Sequence, residues 1–322
     1  MIVMRIAGAV ALLWMVLTLT FLLVRAAPGD AAALLIPASA SAEDAARLRT
    51  ELGLDAPVVV QYGRWIGGAL RGDLGESITL HRTVAGALAD AIPISLGLGL
   101  ASLLLSYIIG VAIGTVQGAR RGRTDRVLTV LTTTMYAAPS FWLALVLVSV
   151  FTYGAAKWGA PAALRLPSFG VHDPAGSPGG WAGIADVIRH AILPVTVLAV
   201  VGAAGVARFA RSSVADVAQM DFVRTARAKG ATPWTVYSKH VLRTVLPALV
   251  VLLALALPGL VAGSVFVEQV FAWPGMGRLL VGAIAARDYP LVMGATIAYA
   301  SLVIAANLAA DLVLPLLDPR RR

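Results

Sequence analysis

IPISLGLGLASLLLSYIIGVAIGTVQGARRGRTDR, residues 92–126, joins two signals that decide the fold. Its first part, 92–116, carries no charged residue and exceeds the ~20 apolar residues a helix needs to cross a bilayer. Its end holds Arg120, Arg121, Arg123 and Arg126 against the single acid Asp125. An apolar run followed by clustered arginines is the pattern of a membrane helix and its cytoplasmic flank. The chain as a whole agrees: of 322 residues 59% are hydrophobic and 13% charged. A soluble domain of this length would carry roughly a quarter charged residues. The +9 formal charge does not point to nucleic acid, because the basic residues sit in short segments beside apolar runs. With no cysteine, disulfides, thiolate metal sites and cysteine nucleophiles are excluded.

Outward from this stretch, hydropathy places six spans at 6–24, 92–116, 127–153, 191–206, 245–267 and 291–312. The first also reads as a signal peptide, since Arg5 precedes it and Ala26-Ala27 follows. Its length, beyond the usual h-region, favours a span. The loop 207–244 holds Arg208, Arg211, Arg224, Arg227, Lys229, Lys239 and Arg243 against Asp216 and Asp221, and the chain ends Arg320-Arg321-Arg322. Residues 25–91, by contrast, hold six Arg against eight acids. The expectation is both termini and the even-numbered loops in the cytoplasm. Three parts follow: an N-terminal helix (1–26), an extracytoplasmic loop (27–91), and a core (92–322) containing the basic loop 207–244. In the outer loop, Ser41-Ala42-Glu43-Asp44 reads as a capping box opening a helix that Gly53 closes. Val58, Val59, Tyr62, Trp65, Ile66 and Leu70 form a helical stripe suited to burial on the membrane face or contact with an external partner.

The basic loop is the most informative polar segment. Asp221-Phe222-Val223-Arg224-Thr225-Ala226-Arg227-Ala228-Lys229-Gly230 is a helix carrying its cations on neighbouring turns, ended by Gly230. Thr232-Pro233 is an N-cap and N1 pair that opens a second short helix. Trp234, Tyr237 and Val241 then recur as one exposed stripe, and Leu246-Pro247 opens the next span. Spacing alone fits two readings: aromatic anchors docking on a cytoplasmic protein, or an amphipathic helix lying on anionic lipid.

This loop resembles the EAA loop of ABC importer permeases, where a coupling helix seats in a groove on the ATPase subunit. The likeness is greatest to the dipeptide/oligopeptide/nickel branch and runs along nearly the whole chain. It is carried by Leu52-Gly53-Leu54-Asp55-Ala56-Pro57 with Gln61-Tyr62, Gly72-Asp73-Leu74-Gly75-Glu76-Ser77 and Ala138-Pro139-Ser140-Phe141-Trp142. It continues in His190-Ala191-Ile192-Leu193-Pro194, Ala210-Arg211-Ser212-Ser213, Val267-Glu268-Gln269-Val270-Phe271, Trp273-Pro274-Gly275-Met276-Gly277-Arg278 and Leu317-Asp318-Pro319-Arg320. Arg224-Thr225-Ala226 replaces the general Glu-Ala-Ala, as is usual in the peptide branch, so a Glu-to-ATPase contact is not carried over. Ser95 stands where Thr is common.

The resemblance implies an all-α membrane protein with the type I ABC importer permease fold. It implies half of a translocation pathway for di- or oligopeptides, worked by alternating access, with glutathione and nickel chelates as alternatives. Implied partners are a second, homologous permease, two ABC ATPases holding ATP and Mg, an extracytoplasmic binding protein and membrane lipid, in a bacterial or archaeal cell membrane. The ATPase-coupling residues would be Arg224, Thr225, Ala226, Arg227, Lys229 and Gly230, with Trp234 and Tyr237 as anchors.

Other residues are read on their own chemistry. Pro139 breaks or bends the third span, where Pro139, Ser140 and Phe141 line a path or merely mark a packed kink. Glu268, near the outer end of the fifth span, is an interfacial acid near Arg278 with a gating or loop-anchoring role. Asp311 pairs with the tail arginines. His81, His172, His190 and His240 are scattered, without metal-ligand spacing. No Gly-Lys pair occurs, hence no phosphate-binding loop, and no nucleophile-base set is evident, so the chain by itself is not an enzyme. The rival class, a self-contained secondary carrier, would need in-membrane ionisable residues or inverted repeats.

Overall fold

The computed structural model describes residues 2–26 and 55–317 apart from 121, 174–175, 177–178 and 263–264, together with positions 43, 47 and 50. The capping box at Ser41–Asp44 and the tail arginines fall largely outside these residues. Among the described residues the protein is almost entirely helical, and six helices are long and apolar enough to cross a membrane. It divides into two compact units, 1–94 with 275–305, and 95–274 with 306–322.

In the first unit, α1 (Ile2–Ala26) carries Phe21, whose ring meets Tyr62 edge-on at 5.2 Å and stacks on Trp65 at 5.8 Å. Both partners lie on α2 (Val58–Leu70), and Thr18 Oγ1 shares a 2.6 Å hydrogen bond with Tyr62 OH. The aromatic part of the outer stripe is thus used on α1, while Val59 and Leu70 stay exposed. A short antiparallel hairpin follows, β1 (Glu76–Ser77) and β2 (Arg82–Thr83), paired Glu76 to Thr83. It is pinned to Asp288, which precedes the last span. Ser77 Oγ donates to Asp288 Oδ2 at 2.6 Å, as do Thr79 N at 2.9 Å and Thr79 Oγ1 at 2.8 Å. Leu291 N bonds the other oxygen at 3.2 Å. Burial pushes the Asp288 carboxyl up, but these donors to the ionised form outweigh it and hold the group below its ordinary value.

The long α3 (Val84–Ala119) begins well before residue 92 and absorbs Pro93 in its interior, as α6 (Gly180–Val217) absorbs Pro194. Helices in a membrane keep such prolines because neighbouring groups re-satisfy the freed carbonyls. In the second unit, α3 and α6 meet along a seam of small residues. A methyl group added at Gly110 would fall 2.7 Å from Ala203 O, and one at Gly114 would fall 2.5 Å from Ala207 O. One at Gly118 would meet Val214 Cγ1 at 2.7 Å. Without a hydrophobic drive between helices in lipid, such close backbone approach supplies the packing.

Two sequence expectations change here. The stretch expected as the third span is two helices, α4 (Arg123–Ala137) and α5 (Ser140–Lys157), separated by extended backbone at Ala138 (ψ 128°). Of the two, only α5 is long and apolar enough to cross a membrane. The expected break at Pro139 is therefore complete. Pro139 supplies no N–H and starts α5 instead. The fifth span begins not at Pro247 but at Pro233: α8 (Pro233–Ala256) is continuous, with a wide π turn at Val236–Val241 and Pro247 inside. It is followed by α9 (Gly259–Ala262) and α10 (Val265–Val270). The remaining helices are α7 (Asp221–Ala228), α11 (Met276–Ala285) and α12 (Tyr289–Leu317).

Candidate functional site

The segment 207–244 folds as the sequence implies locally. Gly230 has φ +81°, a left-handed conformation that L side chains resist, and it closes α7 with a Schellman pair. Gly230 N bonds Arg227 O at 3.0 Å and Ala231 N bonds Ala226 O at 3.1 Å. The chain restarts two residues later: Thr232 Oγ1 accepts Thr235 N at 3.3 Å, with Pro233 at N1. A stop and a start so close together leave the turn little freedom.

Beneath it lies a core of valines. Val223 from α7, Val236, Val241 and Val245 from α8, and Val214 and Val217 from α6 are buried together with Ala210 and Leu249. The core explains a further departure from the sequence reading. The π turn adds residues to one helical turn, so positions 234, 237 and 241 no longer share a face. Trp234 is 81% exposed, Tyr237 is half-buried, and Val241 is in the core. Tyr237 OH donates to Ala119 O at the end of α3 (3.3 Å), accepts from Arg227 NH2 (3.2 Å), and its ring lies 5.9 Å beneath the guanidinium. Arg224, Thr225, Arg227, Lys229, Gly230 and Trp234 lie on the exposed side, whereas Ala226 and Tyr237 pack inward.

The residues read as a pathway do not form one constellation. Pro139 and Phe141 border an open groove of about 600 Å³ with Thr133, Thr134 and Trp142. Ser140 lines a separate cavity of about 310 Å³ with Ser102, Ser106 and Gly202. Glu268 is fully buried, and Ser95 Oγ donates to its Oε1 at 2.7 Å. Ser95, noted in the sequence only as a departure from Thr, is thus a partner of this acid. The histidines are also less scattered than they read. His172 Nδ1 and His190 Nδ1 lie 3.3 and 3.1 Å from the two oxygens of Asp186.

One pair escaped the sequence reading. Arg211 reaches across from α6 and forks onto Asp125 in the first turn of α4, Nε to Oδ1 and NH2 to Oδ2, both at 2.7 Å. Those hydrogen bonds from Arg211 hold the Asp125 carboxyl below its ordinary value against the opposing effect of burial. Eighty-six positions separate the two, so no local pattern announces them.

Residues 91–322 match the family described as binding-protein-dependent transport system inner membrane component, and 1–99 match its N-terminal companion. The chain belongs to that family. It is 36% identical over 323 residues, covering all of this chain and 98% of the relative, to a putative peptide transport system permease protein of Brucella abortus. It is 35% identical over 321 residues (99% and 98%) to the oligopeptide transport system permease protein AppB of Bacillus subtilis. The methionine ABC transporter MetNI, in an inward-facing form, superposes with a TM-score of 0.51 at 18% identity, covering 72% of this chain and 96% of that one. This last likeness concerns the fold. The protein is accordingly an ABC transporter permease, a multi-pass protein of the cell membrane.

Proposed function

We propose that this permease forms half of an import pathway for short peptides and that 207–244 is where cytoplasmic ATPase subunits drive it. The reading rests on one observation above all. The segment is rigid underneath and chemically open on top, with a valine core, a Schellman stop and an N-cap below. Above them Trp234, Arg224 and Lys229 are exposed. An aromatic anchor surrounded by cations on a rigid base is the composition of an interface hot spot. The peptide class is supported by the relatives named for peptide transport.

In this mechanism two ATP-binding subunits hold ATP and Mg, and this chain has neither to bind. Their closure pushes on α7 and the head of α8. Because α8 runs without a break from Pro233 to Ala256, a push at its head is passed on along the fifth span. A second, homologous permease completes the pathway, and an extracytoplasmic binding protein delivers the peptide. Both termini and 207–244 lie in the cytoplasm, as the arginine distribution favours. Glu268, held by Ser95, fixes the outer end of the pathway.

Gly230→Val tests the docking claim. A β-branched residue in the left-handed region costs about 1–3 kcal/mol of strain and disturbs the turn. Membrane insertion should persist while peptide-stimulated ATP hydrolysis in the reconstituted complex is lost. Normal uptake by that variant would sink the docking role.

A further inference from the structure

Helix α4 is held in the second unit by unusual means. It reads Arg123-Thr124-Asp125-Arg126-Val127-Leu128-Thr129-Val130-Leu131-Thr132-Thr133-Thr134-Met135-Tyr136-Ala137, and Thr132 is its one buried residue. Its backbone nonetheless runs close along α6, so its packing is by close approach rather than by a buried apolar stripe. Polar contacts at its two ends add to that approach. At the N-terminal end Asp125 takes the fork of Arg211 and a 3.3 Å hydrogen bond from Thr129, which in turn receives Gln117 Nε2 of α3 at 3.2 Å. At the other end the Arg208 guanidinium lies 4.8 Å over the Tyr136 ring. Both arginines belong to the same stretch of α6, one turn before Val214 enters the valine core under the docking segment. The α4 helix then stops at Ala138–Pro139, where extended backbone replaces helical hydrogen bonding.

We infer that Asp125 and Arg211 are a positioning pair for transport, which passes displacement of the 207–244 segment to α4 and so to the break at Pro139. A bidentate guanidinium–carboxylate pair transmits both direction and twist, because two parallel bonds fix the relative orientation of two helices. The end of α6 moves with the valine core, Arg211 carries α4 with it, and α4 turns about the joint at Ala138. The groove beside that joint, bordered by Thr133, Thr134, Phe141 and Trp142, changes shape as a result. This role rests on the proposed docking of ATPases at 207–244.

The chain has no cysteine, so Thr134→Cys provides its single thiol, in the groove and next to the joint. The assembled complex with its co-expressed ATPases and second permease is placed in lipid nanodiscs. Labelling of this chain by a membrane-impermeant maleimide is followed by mass, without nucleotide and trapped with ATP and vanadate. In the Thr134→Cys parent the labelling rate should change about 5-fold or more, the lower end of coupling between distant sites. Asp125→Asn keeps the shape but loses the charge, and should reduce that change below about 2-fold while the ATPases still co-purify and hydrolyse ATP. Asp125→Glu alters the shape but keeps the charge, and should retain most of the change. A full response in Asp125→Asn, the reverse order of the two variants, or failure of Asp125→Asn to assemble would each overturn the pair's role. A parent that never co-purifies ATPase would instead overturn the docking reading itself. A parent that binds ATPase yet shows no nucleotide response removes the joint at Pro139 from the mechanism, and the pair with it.

Discussion

The basic 207–244 segment and the 76–83 hairpin both carry polar residues beside the spans, yet they are held by opposite means. The first rests on buried valines and turns Arg224, Arg227, Lys229 and Trp234 outward. The second hangs on the fully buried carboxylate of Asp288 and its four donors. Branched apolar side chains packed in a core resist deformation from every direction. A carboxylate with several donors fixes a loop at one point and leaves its remainder free to vary. The docking role proposed for the first segment needs the first kind of support, and a loop that only has to stay in place can use the second.

The sharpest way to break this contrast is to put charge into the valine core. Val236→Asp buries an unpaired carboxylate at a cost of about 4 kcal/mol. Trypsin should then cut at Arg224 and Arg227 in detergent-solubilised protein, and ATPase co-purification should fail. Next in size is Asp288→Ala, which orphans the hydroxyls of Ser77 and Thr79 and two amides, at about 3 kcal/mol in total. Here tryptic cleavage should move to Arg82 while the 207–244 segment stays resistant. Equal cleavage at both places would mean that the two regions are not separately supported.

Trp234→Ala should leave cleavage at either place unchanged, since the ring is exposed, and should weaken ATPase binding by about 2 kcal/mol, roughly thirtyfold. Unchanged binding would assign the docking energy to the arginines instead. The smallest effect is one of pH. The Asp288 carboxyl titrates below its ordinary value in the folded protein, so its contribution is complete above the usual carboxylate range. It is lost only as pH falls through that depressed value. Exchange of the Thr79 amide, corrected for intrinsic pH dependence, should stay slow through the ordinary carboxylate range and speed up below it. The valine core should show no counterpart.

Much of the candidate site was legible because its signals are local. Gly230, Thr232 and Pro233 act on backbone within four residues of themselves, and the structure keeps each in the role its chemistry suggests. The stripe of Trp234, Tyr237 and Val241 misled because a π turn shifts the helical phase, and a period of 3.6 cannot anticipate it. Pro247 misled for a related reason: a proline that looks like a helix start is tolerated inside a membrane helix. The burial of Glu268 was not legible, because hydropathy gives depth along a span but says nothing of which face is covered.

By itself, then, the sequence determined six membrane spans, where the helix stops and restarts at 230–232, and that Pro139 bends or breaks the third span. These follow from transfer free energy and backbone geometry, which act over a few residues at a time. Only the tertiary structure decided that Arg211 grips Asp125, that Asp288 holds the hairpin, that Ser95 meets Glu268, and which residues of 224–237 face outward. Each of these pairings brings together groups far apart along the chain. Their partners are chosen by how helices pack, and no single stretch of residues carries that information.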